Sequence, residues 1–204
     1  MLYRLIEKGL VFQVFGKGEI SFRAVDPGKL MELIKEKEEK LQLILPELER
    51  SFKATPRKQE VYVYRGLEGF RNYLRDILLR QAKDVYFIGA KGGWFDPRLS
   101  TFIGGFLKEA ERLGIKYHHL FDYEVKEMLP DIPQTIKQPY RFLPKEFSTG
   151  AAVDIFGDHV VTFSGLGLGK LEDDVTLFVL VNKELADGYR KWFQFMWDHC
   201  KVEK

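Results

Sequence analysis

A single cysteine, Cys200, is all the chain carries, so no internal disulfide can form, which suits a reducing compartment. Asparagine is almost missing too, with Asn72 and Asn182 the only two. No apolar run approaches the ~20 residues of a membrane-spanning helix, and Met1–Val11 lacks the long apolar stretch of a secretory leader. The expectation is a cytoplasmic protein with no membrane partner. Nor does charge of one sign dominate: 32 Lys and Arg face 30 Asp and Glu, for a net +2. Any nucleic-acid contact must therefore come from a local patch.

What is present begins with a short helix and a hairpin. Leu2, Leu5 and Ile6 are helically spaced, and Gly9 stops that helix after the basic Arg4 and Lys8. Leu10–Phe15 and Glu19–Val25 are β-rich runs around Gly16-Lys17-Gly18, a hairpin signal. Asp26-Pro27 then opens a long helix over 28–52, within a 28–53 segment. Ile34, Leu41 and Leu48 recur every seven residues there, and Leu30, Ile44, Leu45 and Phe52 widen the stripe. Such a seam predicts a homodimer through this helix, the alternative being a helix that packs on its own domain, and Pro46 predicts a kink or restart within it. The polar Lys53–Glu60 reads as a linker.

From Val61 strands and helices alternate: strand Val61–Arg65, helix Gly66–Ala82, strand Asp84–Gly89, helix Pro97–Leu113, strand Ile115–Phe121. That order predicts an α/β fold with a parallel or mixed sheet flanked by helices. Tyr140–Leu143, Ala151–Phe156, Val160–Ser164 and Val175–Val181 read as further strands, with Gly157-Asp158 turning the second to the third. Lys183–His199 closes as an amphipathic helix with Leu185, Tyr189, Trp192, Phe193 and Met196 on one face.

The strings LIEKGLV with FRAVDPGKL, then EVYVYRGLEGFRNYL, VYFIGAKGGW and VNKELADGYRKWFQFMW occur in that order along the chain. In this order they resemble the archaeal TrmB-type transcription regulators, which join a winged helix to a coiled-coil helix and a phospholipase-D-like effector domain. The resemblance implies a partial winged helix over 1–27, a dimerising linker helix over 28–53 and an inactive phospholipase-D-like regulatory domain over 61–204. It identifies Leu2–Lys8 with the end of a recognition helix, and Arg4, Lys8, Lys17 and Arg23 as candidate contacts to the phosphates of double-stranded DNA. Base reading uses the N-terminal residues of a recognition helix, so the residues present are not expected to read sequence. The alternative is a stand-alone, non-enzymatic α/β domain that binds a small molecule or a protein.

No catalytic residue is expected. Phospholipase-D-like enzymes use H-x-K-x4-D, with a His nucleophile or acid and a Lys on phosphate. His118, His119 and His159 have Leu120, Phe121 and Val161 two places on, and only His199-Cys200-Lys201 fits the first three positions. The segment expected to hold the motif, 149–164, has Gly and Ala where His and Lys would sit. His118 and His119 read instead as neighbours on one strand, one facing inward and one outward. Glu172, Asp173 and Asp174 lack metal-ligand spacing and read as an exposed turn, so neither metal nor cofactor is expected. Gly165–Gly169 lacks the Lys-Ser/Thr of a phosphate loop and reads as a flexible connection. One constellation points to a ligand: Gly89, Lys91, Gly92, Gly93 and Trp94 lie between a buried strand and a helix, where open α/β sheets bind small molecules. An anionic or sugar-like effector would suit it, with Trp94 stacking on a ring; the alternative is a tight turn with Trp94 packed inward.

Overall fold

Alternation of apolar and polar residues sets most of the architecture. A computed structural model of the chain describes residues 1–16, 20–54, 59–136 and 138–200, and it divides into two units, 1–56 and 57–204. In the first, helix α1 (Leu2–Glu7) is followed by strands β1 (Val11–Phe15) and β2 (Ile20–Ala24), paired antiparallel from Val11 with Ala24 to Phe15 with Ile20. Gly9 takes φ +66° at the end of α1, the left-handed conformation a helix stop favours. Helix α2 (Gly28–Ala54) follows, its start marked by Asp26, which accepts a hydrogen bond from the Gly28 N–H at 2.7 Å. The restart expected as one outcome at Pro46 does not occur. A proline removes one backbone bond from a helix, and α2, 27 residues long, continues through it. The linker expectation is corrected at both ends, since Lys53 and Ala54 belong to α2 and Glu60 to the next strand; residues 55–58 lie outside the described residues.

The second unit is a mixed seven-stranded sheet. Its strands are β3 (Glu60–Arg65), β4 (Asp84–Ala90), β5 (Lys116–Phe121), β6 (Tyr140–Phe142), β7 (Ala152–Phe156), β8 (His159–Gly167) and β9 (Lys170–Val181), in the spatial order β3-β9-β8-β7-β4-β5-β6. β4, β5 and β6 run parallel, and every other pairing is antiparallel. The flexible connection predicted at 165–169 is instead the end of a long hairpin in which Leu166 pairs with Leu171 and Gly167 with Lys170. Likewise the acidic trio 172–174 lies in β9 rather than in a turn. Ladder pairing overrides the weak intrinsic strand preference of Gly and Asp.

Period-two alternation gives the sheet two buried faces. Val85 and Phe87 of β4, Tyr117 of β5, Phe156 of β7, and Leu177 and Val179 of β9 share one core with helix α3 (Gly66–Arg80), which contributes Phe70, Tyr73, Leu74 and Ile77, and α4 (Ser100–Arg112), which contributes Phe106 and Ala110. On the other face Leu120, Ile155 and Val160 pack with Ala186 and Phe193 of α7 (Lys183–His199). Each Val, Leu, Ile or Phe among them contributes about 1.5–3 kcal/mol when fully buried. α7 buries a narrower stripe than its pattern suggests, because Leu185 and Trp192 stay exposed. Helix α3 ends two residues earlier than expected, at Arg80, because Gln81 adopts a left-handed φ of 47°. Two short helices, α5 (Tyr123–Met128) and α6 (Asp131–Thr135), follow β5. Among the described residues no helix is long and apolar enough to cross a membrane.

Candidate functional site

Strand β4 ends in a bulge that aims the chain into a glycine-rich turn. Gly89 has φ +70°, the pairing with β5 shifts register between Ile88 and Ala90, and a Cβ at Gly89 would lie 3.0 Å from the Ala151 carbonyl. Gly92, at φ +74°, is also held in left-handed backbone, although the nearest atom to a Cβ there is only the movable Ile132 Cδ1. Two 3₁₀ turns, Gly93–Phe95 and Pro97–Leu99, then lead into α4.

Between them sits Asp96, 2 % exposed, which accepts hydrogen bonds from the Arg98 N–H (2.9 Å), the Arg98 guanidinium (2.7 Å from Nη2) and the Leu171 N–H (2.9 Å). Arg98 holds this carboxyl well below the usual aspartate range, assisted by the Leu171 amide and opposed by burial. Asp96 thus ties the turn to β9. Asp96→Ala leaves the Leu171 amide without its partner and is expected to cost about 2–4 kcal/mol, read as a lower urea midpoint at unchanged slope.

The turn roofs a cavity of about 740 Å³ on the α3/α4 face of the sheet, within the range of drug-sized ligand pockets. Lys91, Gly92, Gly93 and Trp94 line it, so the turn residues singled out from sequence come together there, except Gly89, which is buried in β4 and does not line it. Their environment differs from the anionic or sugar site expected. The Lys91 ammonium is buried and lies 3.0 Å from Glu124 and 3.4 Å from Asp122, so its charge is already answered. Burial pushes the Asp122 carboxyl up, but hydrogen bonds from Ser148, Glu124 and Thr149, with Lys91 nearby, outweigh it and hold the group below its ordinary value. Trp94 packs edge-on against Phe87, Phe106 and Tyr117, at centroid distances of 5.2–5.3 Å. It is a wall of an aromatic box rather than a free platform.

Apart from Lys91, the buried polar groups of the cavity come from the strands. Asp154 of β7 and His119 of β5 are both register partners of Phe87, so the three form one row across the sheet. Asp154 accepts a 2.5 Å hydrogen bond from the Tyr73 hydroxyl. Burial pushes its carboxyl up to about 8 against that bond, so it is protonated at neutral pH. His119 is stacked between Phe87 (4.4 Å) and Phe121 (5.1 Å). Burial, and secondarily His118, pushes it down to about 3, so it is neutral. Two cavity-lining groups, the Tyr117 hydroxyl and the His119 Nδ1, are buried without a hydrogen-bond partner. Sequence reasoning placed His119 only as a strand residue and passed over Tyr117, Asp154 and Tyr73. The one available signal was the alternation in KYHHLF, which puts Tyr117, His119 and Phe121 on a common face.

The other histidines stand apart. His118 lies on the opposite face, stacked on Tyr86 with its Nε2 2.9 Å from the Asp84 carboxylate. His159 is buried against Asp158 at 2.6 Å, and His199 Nδ1 is 2.7 Å from the Phe195 carbonyl. Among the described residues no three His, Cys, Asp or Glu side chains gather as metal ligands. In the first unit Arg4, Lys8 and Arg23 are exposed, while Lys17 lies outside the described residues.

No protein-family model and no curated protein matches the chain. Solved structures do. The chain is similar to Nuc from Salmonella typhimurium, a phospholipase D family member, with 17% identity, 72% of this chain and 99% of that one covered, and a TM-score of 0.54. It is similar to NucT from Helicobacter pylori at 17% identity, over 72% of this chain and 100% of that one, with a TM-score of 0.51. TrmBL2, an archaeal chromatin protein whose structure shows a novel mode of DNA binding, matches at 20% identity over 98% of this chain and 80% of that one, with a TM-score of 0.48. The sheet and its flanking helices therefore have a phospholipase-D-like fold.

Proposed function

We propose that this chain is a TrmB-like transcriptional regulator of archaeal type, or the effector-binding and dimerising module of one, whose phospholipase-D-like domain senses a small molecule instead of hydrolysing a phosphodiester. One observation carries the reading. A ligand-sized cavity is lined by Ala152, and the segment 149–164, where the resemblance leads one to expect the signature, holds no His-x-Lys. His119, the one histidine lining that cavity among the described residues, is held neutral by burial and has no lysine two places on. The His-x-Lys pair that such phosphoryl chemistry uses is not formed at His119, which supports a non-catalytic reading. The test is hydrolysis of bis(p-nitrophenyl) phosphate: the rate should equal buffer alone, and turnover that disappears in His119→Ala would sink the reading.

Two further parts belong to the same reading. The exposed seam of α2 supports a homodimer, and the exposed Arg4, Lys8 and Arg23 support contact with DNA phosphates. Three such cations per chain give about six contacts per dimer, for which affinity falls about 10³-fold between about 50 and 200 mM salt. Fluorescence anisotropy with duplexes of unrelated sequence should show that salt dependence and no sequence preference. A second reading, a stand-alone binding module that does not touch DNA, is favoured by α1, which has six residues and buries none of them. Absence of any duplex binding at about 50 mM salt would select it.

A further inference from the structure

The cavity's lining specifies the kind of molecule it takes. Aromatic rings dominate its interior; of its two lining lysines, Lys91 is buried against two carboxylates, while Lys116 is exposed, as is the lining Glu111. A carboxylate or phosphate ligand held against those rings would lose its hydration without meeting an unanswered buried cation, since Lys91 is paired and Lys116 is exposed. A sugar would bring many hydroxyl groups to a wall with few polar partners. What the wall does offer is two buried polar side chains with unanswered atoms: Tyr117, 8 % exposed, and His119, 6 % exposed. Native interiors leave few such groups unpaired. Both residues lie on the same face of β5, with ring centroids 6.2 Å apart.

Resting on the reading of this cavity as a ligand site, we propose that it binds an uncharged aromatic molecule bearing hydroxyl groups, its rings against Phe87 and Trp94 and its hydroxyls hydrogen-bonded to Tyr117 Oη and His119 Nδ1. A hydroxyl has one donor and two lone pairs, so it can answer the neutral imidazole whichever tautomer that ring takes. Edge and face contacts with the Phe87–Trp94–Tyr117 box select flat rings over branched aliphatic ones. The protonation states agree, since a neutral His119 and a protonated Asp154 leave the chamber without a fixed charge of their own.

The test compares 2-naphthol, naphthalene and 2-naphthoate by calorimetry or tryptophan quenching on the full chain at pH 7. 2-Naphthol should bind about tenfold more tightly than naphthalene, the equivalent of one hydrogen bond, and 2-naphthoate more weakly than either. In the Tyr117→Phe/His119→Phe double variant, which keeps an aromatic ring at each position, naphthalene should still bind while the preference for 2-naphthol disappears. A preference that survives in the double variant overturns the proposal. Tighter binding of 2-naphthoate overturns the uncharged class but leaves the cavity a ligand site. Failure of all three probes to bind overturns both the proposal and the cavity's role, whereas phosphodiester turnover would sink the non-catalytic reading alone.

Discussion

Glutamate at both Ile34 and Leu41 is expected to halve the mass of the protein in solution, from about twice the chain mass to the 23.9 kDa of one chain. Both residues lie on the seam of α2 and are exposed, together with Leu30, Ile44, Leu45 and Leu48. A row of large aliphatic side chains left in water on a 27-residue helix gains about 1.5–3 kcal/mol for each one that a partner helix covers. Two such positions on each of two helices are worth about 6–12 kcal/mol, so the double variant should weaken association by more than about 10⁴-fold. Light scattering over a concentration series reads the change directly. Glu39→Lys, on the polar side of the same helix, should leave the mass doubled. A wild-type protein that scatters as a single chain would remove the dimer from the proposed function while leaving the cavity untouched.

The parts of the molecule that were legible in its sequence are those whose signal is local. DVYFIG and IKYHHLF read as strands and form β4 and β5, with His118 and His119 on opposite faces as alternation requires. Phe70, Leu74 and Ile77 share a helical stripe, and all three are buried in α3. The glycine-rich turn was legible because Gly89 and Gly92 need left-handed or crowded backbone that other residues resist. The candidate site as a whole was not legible, because its row Asp154–Phe87–His119 is assembled by pairings 32 and 67 residues apart in sequence. No periodicity announces which strands become neighbours, and so none announces that β7 inserts its aspartate beside β4. Gly165–Gly169 was illegible for a different reason: it is the tip of a hairpin whose local pairs, Leu166 with Leu171 and Gly167 with Lys170, its glycine-rich composition conceals. Lys91 was recognised as a site residue, but its partners Asp122 and Glu124 come from the segment after β5, so its neutralisation was invisible to local reading.

Asp154→Asn is expected to remove a loss of stability between pH 6.5 and 8 that the unaltered protein shows. In the folded chain burial holds the Asp154 carboxyl up to about 8, while in the unfolded chain it titrates near its ordinary value of about 3.9. The folded state therefore keeps a proton that the unfolded state has released, and stability falls as pH rises through that window. His119 acts with the opposite sign. Its folded value of about 3 lies below the ordinary value of about 6.5, so the unfolded state binds the extra proton and stability rises with pH up to about 6.5. Between pH 4 and 6.5 the two slopes cancel. Above 6.5 the imidazole is neutral in both states and only Asp154 still contributes, so about 1.5 pH units of unopposed slope should cost about 2 kcal/mol by pH 8. Asparagine keeps the shape of the side chain and an oxygen to accept the Tyr73 hydrogen bond, but carries no titrating proton. Its stability should be level from pH 6.5 to 8, and below 6.5 it should fall with acid, because the His119 slope is no longer masked. Urea midpoints at pH 5, 6.5 and 8 measure both limbs, and an asparagine variant that loses stability between 6.5 and 8 as steeply as the parent would show that Asp154 is not the buried acid of this cavity.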